Sequence, residues 1–166
     1  MPHLKKITFL LFFLICFISI SAQENHRKNT TIAPPKTFTT NHQIINGGKT
    51  INYRAVASET YLKNKNNATV ASIWSVAYVQ EGNGDSKKRP VTFVFNGGPG
   101  SASMWLHMGL LGPEVVKVNS DAKEDDGAAP YDLVNNEKGI LDLTDLVFVD
   151  PVGTGYSRVI GEGKVE

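Results

Sequence analysis

Residues 91–95 read Val-Thr-Phe-Val-Phe and run directly into Asn96, Gly97, Gly98, Pro99 and Gly100. Chemistry at such a place would be done by the backbone. Without side chains, successive N–H groups can point into one small space and bind an anion or a developing oxyanion. The carboxyl end of a buried strand is also where an α/β sheet places its ligand.

A tight turn is the plainer reading of Gly-Gly-Pro-Gly taken alone. Two nucleotide readings fail on spacing. A phosphate-binding P-loop requires Gly-Lys-Ser/Thr after its first glycine, and no lysine follows until Lys117. A dinucleotide fingerprint requires a third glycine where Ser103 stands. In α/β-hydrolases one oxyanion donor comes from a glycine-rich loop after the third strand, and Gly97-Gly98 are suitably placed for that role.

A second glycine-rich block reads Asp150-Pro151-Val152-Gly153-Thr154-Gly155-Tyr156-Ser157, at the end of the apolar run 146–149, and Gly112-Pro113 lies between the two. With its three blocks in this order and near this spacing, the chain resembles the serine carboxypeptidases, most clearly over 91–158 and more loosely from Gln43 onward. The resemblance implies an α/β-hydrolase fold and release of C-terminal residues from peptides by serine acyl transfer, without cofactor or metal. It also implies roles for three residues: Asn96 and the N–H of Gly97 would bind the substrate carboxylate, and the N–H of Gly98 would help stabilise the oxyanion.

The chain departs from that family in ways that bear on activity. The nucleophile belongs in a Gly-x-Ser-x-Gly elbow, and no such segment occurs. The nearest approach, Gly155-Tyr156-Ser157-Arg158-Val159, lacks the closing glycine, so Ser157 reads as a structural loop residue. The family's Asp and His follow the nucleophile, and the chain is expected to be an N-terminal portion, inactive alone. His107 receives no role, and Ser101 and Ser103 are expected to begin a helix. Val94 stands where many relatives have Trp, and Leu110 where they have the Glu that helps hold the carboxylate at acidic pH, so the acidic optimum is in doubt. A non-catalytic peptide-binding protein and an esterase or lipase on the same fold are the alternatives.

These residues need elements to hold them. Residues 44–45 and 50–56 flank Asn46-Gly47-Gly48, a hairpin signal. Residues 70–79 are β-branched and aromatic, and the turn cluster 81–85 follows. The continuous apolar runs 91–95 and 146–149 predict strands buried on both faces. Residues 101–111 are helix-like, and 119–131 form a polar loop. The expected fold is therefore α/β, with antiparallel strands leading into parallel strands and helices.

Composition narrows the partners. Lys and Arg number 17 against 16 Asp and Glu, with no basic stripe, which disfavours nucleic acid. Lys5-Lys6, the apolar stretch 7–20 and Ser21-Ala22 read as an export signal cleaved after Ala22. That stretch is shorter than the ~20 residues a spanning helix needs, so stable membrane insertion is not expected. Cleavage would remove Cys16, the only cysteine, which suits a periplasmic or secreted protein without disulfides. Residues 23–42 read as a flexible linker and 43–166 as an incomplete hydrolase domain. Asn29 and Asn67 match the glycosylation pattern by chance. Asp121, Glu124, Asp125 and Asp126 lack the spacing of a calcium loop.

Overall fold

The computed structural model describes residues 31–82, 88–98, 100–118, 123 and 129–164. The chain divides into two units, Met1–Ala33 and Pro34–Glu166, and everything below concerns the second. The segment read as an export signal, most of the 119–131 loop and the acidic cluster within it lie outside the described residues.

Two long strands, β1 (Thr37–Asn46) and β2 (Lys49–Lys63), form an antiparallel hairpin in which Asn46 pairs with Lys49. Gly47 and Gly48 close it with φ of 54° and 75°, the left-handed pair that a two-residue hairpin turn requires. β1 begins inside the 23–42 segment read as linker. Its residues 37–43 are exposed and, Phe38 apart, polar, so no hydrophobic period announces it; the backbone ladder to β2 makes it a strand.

β3 (Thr69–Gln80) returns antiparallel to β2 across a turn in which the Asn64 side-chain oxygen accepts from the N–H groups of Asn66 and Ala68, at 2.9 and 3.0 Å. β3 then pairs antiparallel with β7 (Asp145–Val149), and β7 pairs parallel with β4 (Val91–Val94). The spatial order is β1-β2-β3-β7-β4, with the short β8 (Arg158–Val159) beside β3. The sheet is mixed, with antiparallel strands first and a parallel pair after them, the expected architecture.

The crossover from β4 to β7 carries the other elements. A helical turn α1 (Met104–Leu106) widens into a π turn, His107–Leu111, and a small antiparallel pair follows, β5 (Glu114–Val116) with β6 (Leu133–Asn135). The expected helix over 101–111 is thus shorter. Gly112 N–H closes on the His107 carbonyl at 2.9 Å, while the Asn136 amide donates to the Leu110 and Gly112 carbonyls at 2.7 and 2.9 Å. These bonds satisfy carbonyls that a further helical turn would otherwise take. A Cβ on Gly112 would sit 2.3 Å from the His107 carbonyl, so only glycine permits this closure.

The core gathers on one face of the sheet, where Ile44, Ile51, Tyr53, Val94, Leu146 and Phe148 pack with Leu141 and are flanked by Leu106 and Leu111. Leu146 and Phe148, on the core face of β7, are 0% and 1% exposed, and Val147 and Val149 on its other face are half-buried, so β7 comes near the expected burial on both faces. β4 does not. It is the last strand of the sheet, and Val91, Phe93 and Phe95 are 50–62% exposed while Val94 faces the core. Its continuous apolar composition therefore coincides with burial on one face only among the described residues.

Candidate active site

The glycine loop leaves β4 at the carboxyl end of the parallel pair, beside the end of β7 where Asp150 stands. Asn96 is half-buried, and Gly97, Gly98 and Gly100 are exposed. Gly98 and Gly100 have φ of 77° and 92°, a region that side-chain-bearing residues rarely adopt. Built at Gly97, Gly98 or Gly100, a Cβ would meet nothing within 4 Å, so glycine is required here by backbone shape and open approach rather than by crowding. Among the described residues, the N–H groups of Gly97 and Gly98 donate to no other protein group. The Asn96 amide makes one long contact, 3.4 Å to the Gly97 carbonyl. The three residues singled out in the sequence therefore lie together on one exposed loop with donors available.

The Asp150 carboxylate holds the far end of this loop. Its Oδ1 accepts from both the N–H and the Oγ–H of Ser103, each at 2.9 Å, and its Oδ2 accepts from the Tyr156 N–H at 3.4 Å. Asp150 and Ser103 are both buried. Ser103 occupies the N-cap of α1 but makes no side-chain cap, because its hydroxyl is committed to Asp150. Sequence reading had noted Asp150 only as part of a motif. The available signal was a carboxylate at the end of a buried strand with a glycine five residues on: a Cβ at Gly155 would lie within 1.9 Å of Asp150 Oδ2.

Ser157 is 0% exposed. Its Oγ donates to the Asp150 carbonyl at 2.7 Å and accepts from the Trp74 N–H at 2.8 Å, tying the second glycine block to β3. With both hydrogen-bonding directions used and no exposure, it is a structural residue. The same block closes on itself: Thr154 Oγ1 donates to the Pro151 carbonyl at 2.8 Å, and the Gly153 N–H reaches the Ser157 carbonyl at 3.1 Å.

An aromatic cluster packs on β7 through Phe148. His107 stacks on Phe148 with centroids 4.4 Å apart, and its Nε2 is 2.6 Å from the Tyr78 hydroxyl. Burial pushes the Tyr78 phenol well above its ordinary value, reinforced by Tyr53 and Glu114. Burial pushes the His107 imidazole down, against an opposing pull from Asp150. Both shifts favour the neutral forms of the pair, which share one hydrogen bond between the Tyr78 hydroxyl and His107 Nε2. Among the described residues, His107 packs on Phe148 and Tyr78, and no serine or cysteine is hydrogen-bonded to it.

Next to α1 an open apolar groove of about 520 Å³ is lined by Met104, Trp105, Met108, Gly109, Val116 and Val118. Leu110 is 59% exposed. Among the described residues, no helix is long and apolar enough to cross a membrane, and no group of three or more His, Cys, Asp or Glu could hold a metal ion.

The family profile described as serine carboxypeptidase matches residues 46–162. Among solved structures, one similar chain is that of Kex1Δp, a prohormone-processing carboxypeptidase from Saccharomyces cerevisiae, at 28% identity and a TM-score of 0.42. The match covers 64% of this chain and 21% of that one. No curated protein sequence matches.

Proposed function

This chain belongs to the serine carboxypeptidase family, and from that premise we propose that it carries the carboxylate-binding and oxyanion loop of a serine-type carboxypeptidase that hydrolyses C-terminal peptide bonds by acyl transfer. The observation that carries the proposal is the exposed turn of Asn96, Gly97 and Gly98 at the carboxyl end of β4, with backbone donors uncommitted among the described residues.

In this reading the Asn96 amide and the Gly97 N–H receive the terminal carboxylate of the peptide. The Gly98 N–H donates to the oxygen of the scissile carbonyl as it gains charge. A fixed donor aimed at developing charge pays no reorganisation cost during reaction, and losing one costs on the order of 10²–10³ in rate. The attacking serine, its histidine base and the aspartate that orients the histidine follow the general acyl-transfer scheme. Neither Ser157, which is buried and doubly hydrogen-bonded, nor His107, which is stacked and bonded to Tyr78, supplies them. We therefore propose that the 166-residue chain binds but does not turn over peptides by itself.

Export follows from the reading of residues 1–22 as a cleaved signal, and peptides are the proposed partners. Leu110 offers no carboxyl group to share a proton with the substrate carboxylate, so binding should lack an acid-requiring step.

The test is binding and turnover of an N-blocked dipeptide with a free C-terminal carboxylate, beside its C-terminal amide. Preference for the free carboxylate, weakened by Asn96→Ala and without product release, is the expected result. Equal binding of acid and amide would remove the carboxylate role. Turnover that stops on treatment with a serine-directed phosphonylating reagent would remove the claim of inactivity.

A further inference from the structure

The two ends of the glycine loop are both referenced to one strand. At its start, β4 is laddered in parallel to β7, with Val94 opposite Phe148. At its far end, Ser103 is held by the side chain of Asp150, the residue that follows β7. Between these points Gly97, Gly98 and Gly100 are exposed, and their Cα positions face open space. Packing therefore does not decide where the loop's N–H groups point. The two anchors do.

We propose that Asp150 is a positioning residue for the Asn96–Gly98 loop, its carboxylate fixing the direction of the loop's backbone donors through Ser103. The inference rests on the carboxylate- and oxyanion-binding role given to that loop above. Asp150 does not itself touch substrate; it is 8% exposed and its side-chain oxygens face Ser103 and Tyr156.

The chemistry of the site asks for a carboxylate. Three donors converge on it, the Ser103 N–H, the Ser103 Oγ–H and the Tyr156 N–H. A carboxylate is acceptor-only at both oxygens and can answer all three. An amide of the same shape offers one acceptor and turns an NH₂ group toward a donor in either orientation. Glutamate would not serve either, because the carboxylate already occupies the space a Gly155 side chain would need, with Oδ2 at 1.9 Å from that Cβ position. The absence of a side chain at 155 and the carboxylate at 150 are thus one arrangement, which joins the second glycine block to the first.

The test uses the ¹⁵N-labelled full chain as wild type, Asp150→Asn and Ser103→Ala, reading backbone order parameters and affinity for the blocked free-carboxylate dipeptide. In the wild type Gly97, Gly98 and Gly100 should be rigid, with order parameters near ~0.85. Asp150→Asn should lower them below ~0.6 while β3 and β7 are unchanged, and should weaken peptide binding about tenfold or more. Ser103→Ala removes one donor, leaves the carboxylate, and should loosen the same glycines less. A wild-type loop that is already loose overturns the proposal. So does an Asp150→Asn loop that stays rigid, or a loss of order spread equally over β3 and β7. If Asp150→Asn fails to fold, Ser103→Ala decides: unchanged glycines overturn the clamp. A wild type that is rigid but does not bind the peptide, with Asp150→Asn loosening the loop, would sink the carboxylate-binding reading and leave the clamp standing.

Discussion

The two glycine-rich blocks look alike in sequence and do opposite things in the structure. In the block at 150–157, Asp150, Thr154 and Ser157 are buried and a Cβ at Gly155 would strike the Asp150 carboxylate. In the block at 96–100, the glycines face open space, and the flanking Phe95 and Trp105 are 56% and 68% exposed. Glycine in one place clears room for a carboxylate; in the other it leaves backbone donors bare. The contrast separates a frame from the site it carries, and it makes the frame sensitive in stability and the loop sensitive in binding.

The sharpest break in the frame is Arg89→Ala. Arg89 Nε bonds Asp145 Oδ1 at 3.0 Å at the start of β7, with both side chains largely buried, and its Nη2 donates to the Leu141 carbonyl at 2.8 Å. Removing the arginine leaves a buried carboxylate with only the Gln80 N–H, at 3.1 Å, among the partners described. Breaking one side of such a pair costs about 3–5 kcal/mol, read as a fall in the urea midpoint.

A pair of identical substitutions tests the contrast directly. Gly155→Ala meets both the Asp150 carboxylate and a φ of 47°, and should cost about 3 kcal/mol from overpacking and left-handed strain. Gly98→Ala meets only its φ of 77° and should cost about 1–2 kcal/mol while abolishing discrimination between peptide acid and peptide amide. Equal stability losses would erase the distinction between the blocks. Ser157→Ala falls with the frame: it orphans the buried Trp74 N–H and Asp150 carbonyl, at about 1–3 kcal/mol, and should leave peptide preference unchanged.

How much of this could be read from the residues follows the same division. The hairpin was legible because Asn46-Gly47-Gly48 is a local turn signal, and β3 and β7 because their β-branched and aromatic residues favour a strand. β4 carries the same composition and ends at the sheet's edge with Phe93 62% exposed, since a strand's neighbours are decided by distant chain. β5 and β6 are three residues each and pair across a long crossover, which no local period announces. The loop residues Asn96, Gly97 and Gly98 were legible as a motif. The clamp that holds them was not, because Asp150 and Ser103 are 47 positions apart and neither residue type alone implies the other.

The smallest effect concerns the aromatic cluster of Tyr78, His107 and Phe148. Burial lowers the His107 pKa below its ordinary value of 6.5, with Asp150 pulling it up and Tyr78 bonded to Nε2. Between the lowered folded value and 6.5, the unfolded chain binds more protons at this histidine than the folded one. Stability contributed by neutral His107 is therefore fully present above pH 6.5 and lost as pH falls toward the folded value. Carboxylates titrate further down, so the wild-type slope alone does not isolate the histidine. His107→Gln keeps an acceptor for the Tyr78 hydroxyl and removes the titration. The drop in urea midpoint between pH 7.5 and pH 5 should be smaller in His107→Gln than in the wild type. An identical drop in both would mean that His107 is protonated in the folded chain as readily as in the unfolded one, and that its burial does not exclude water.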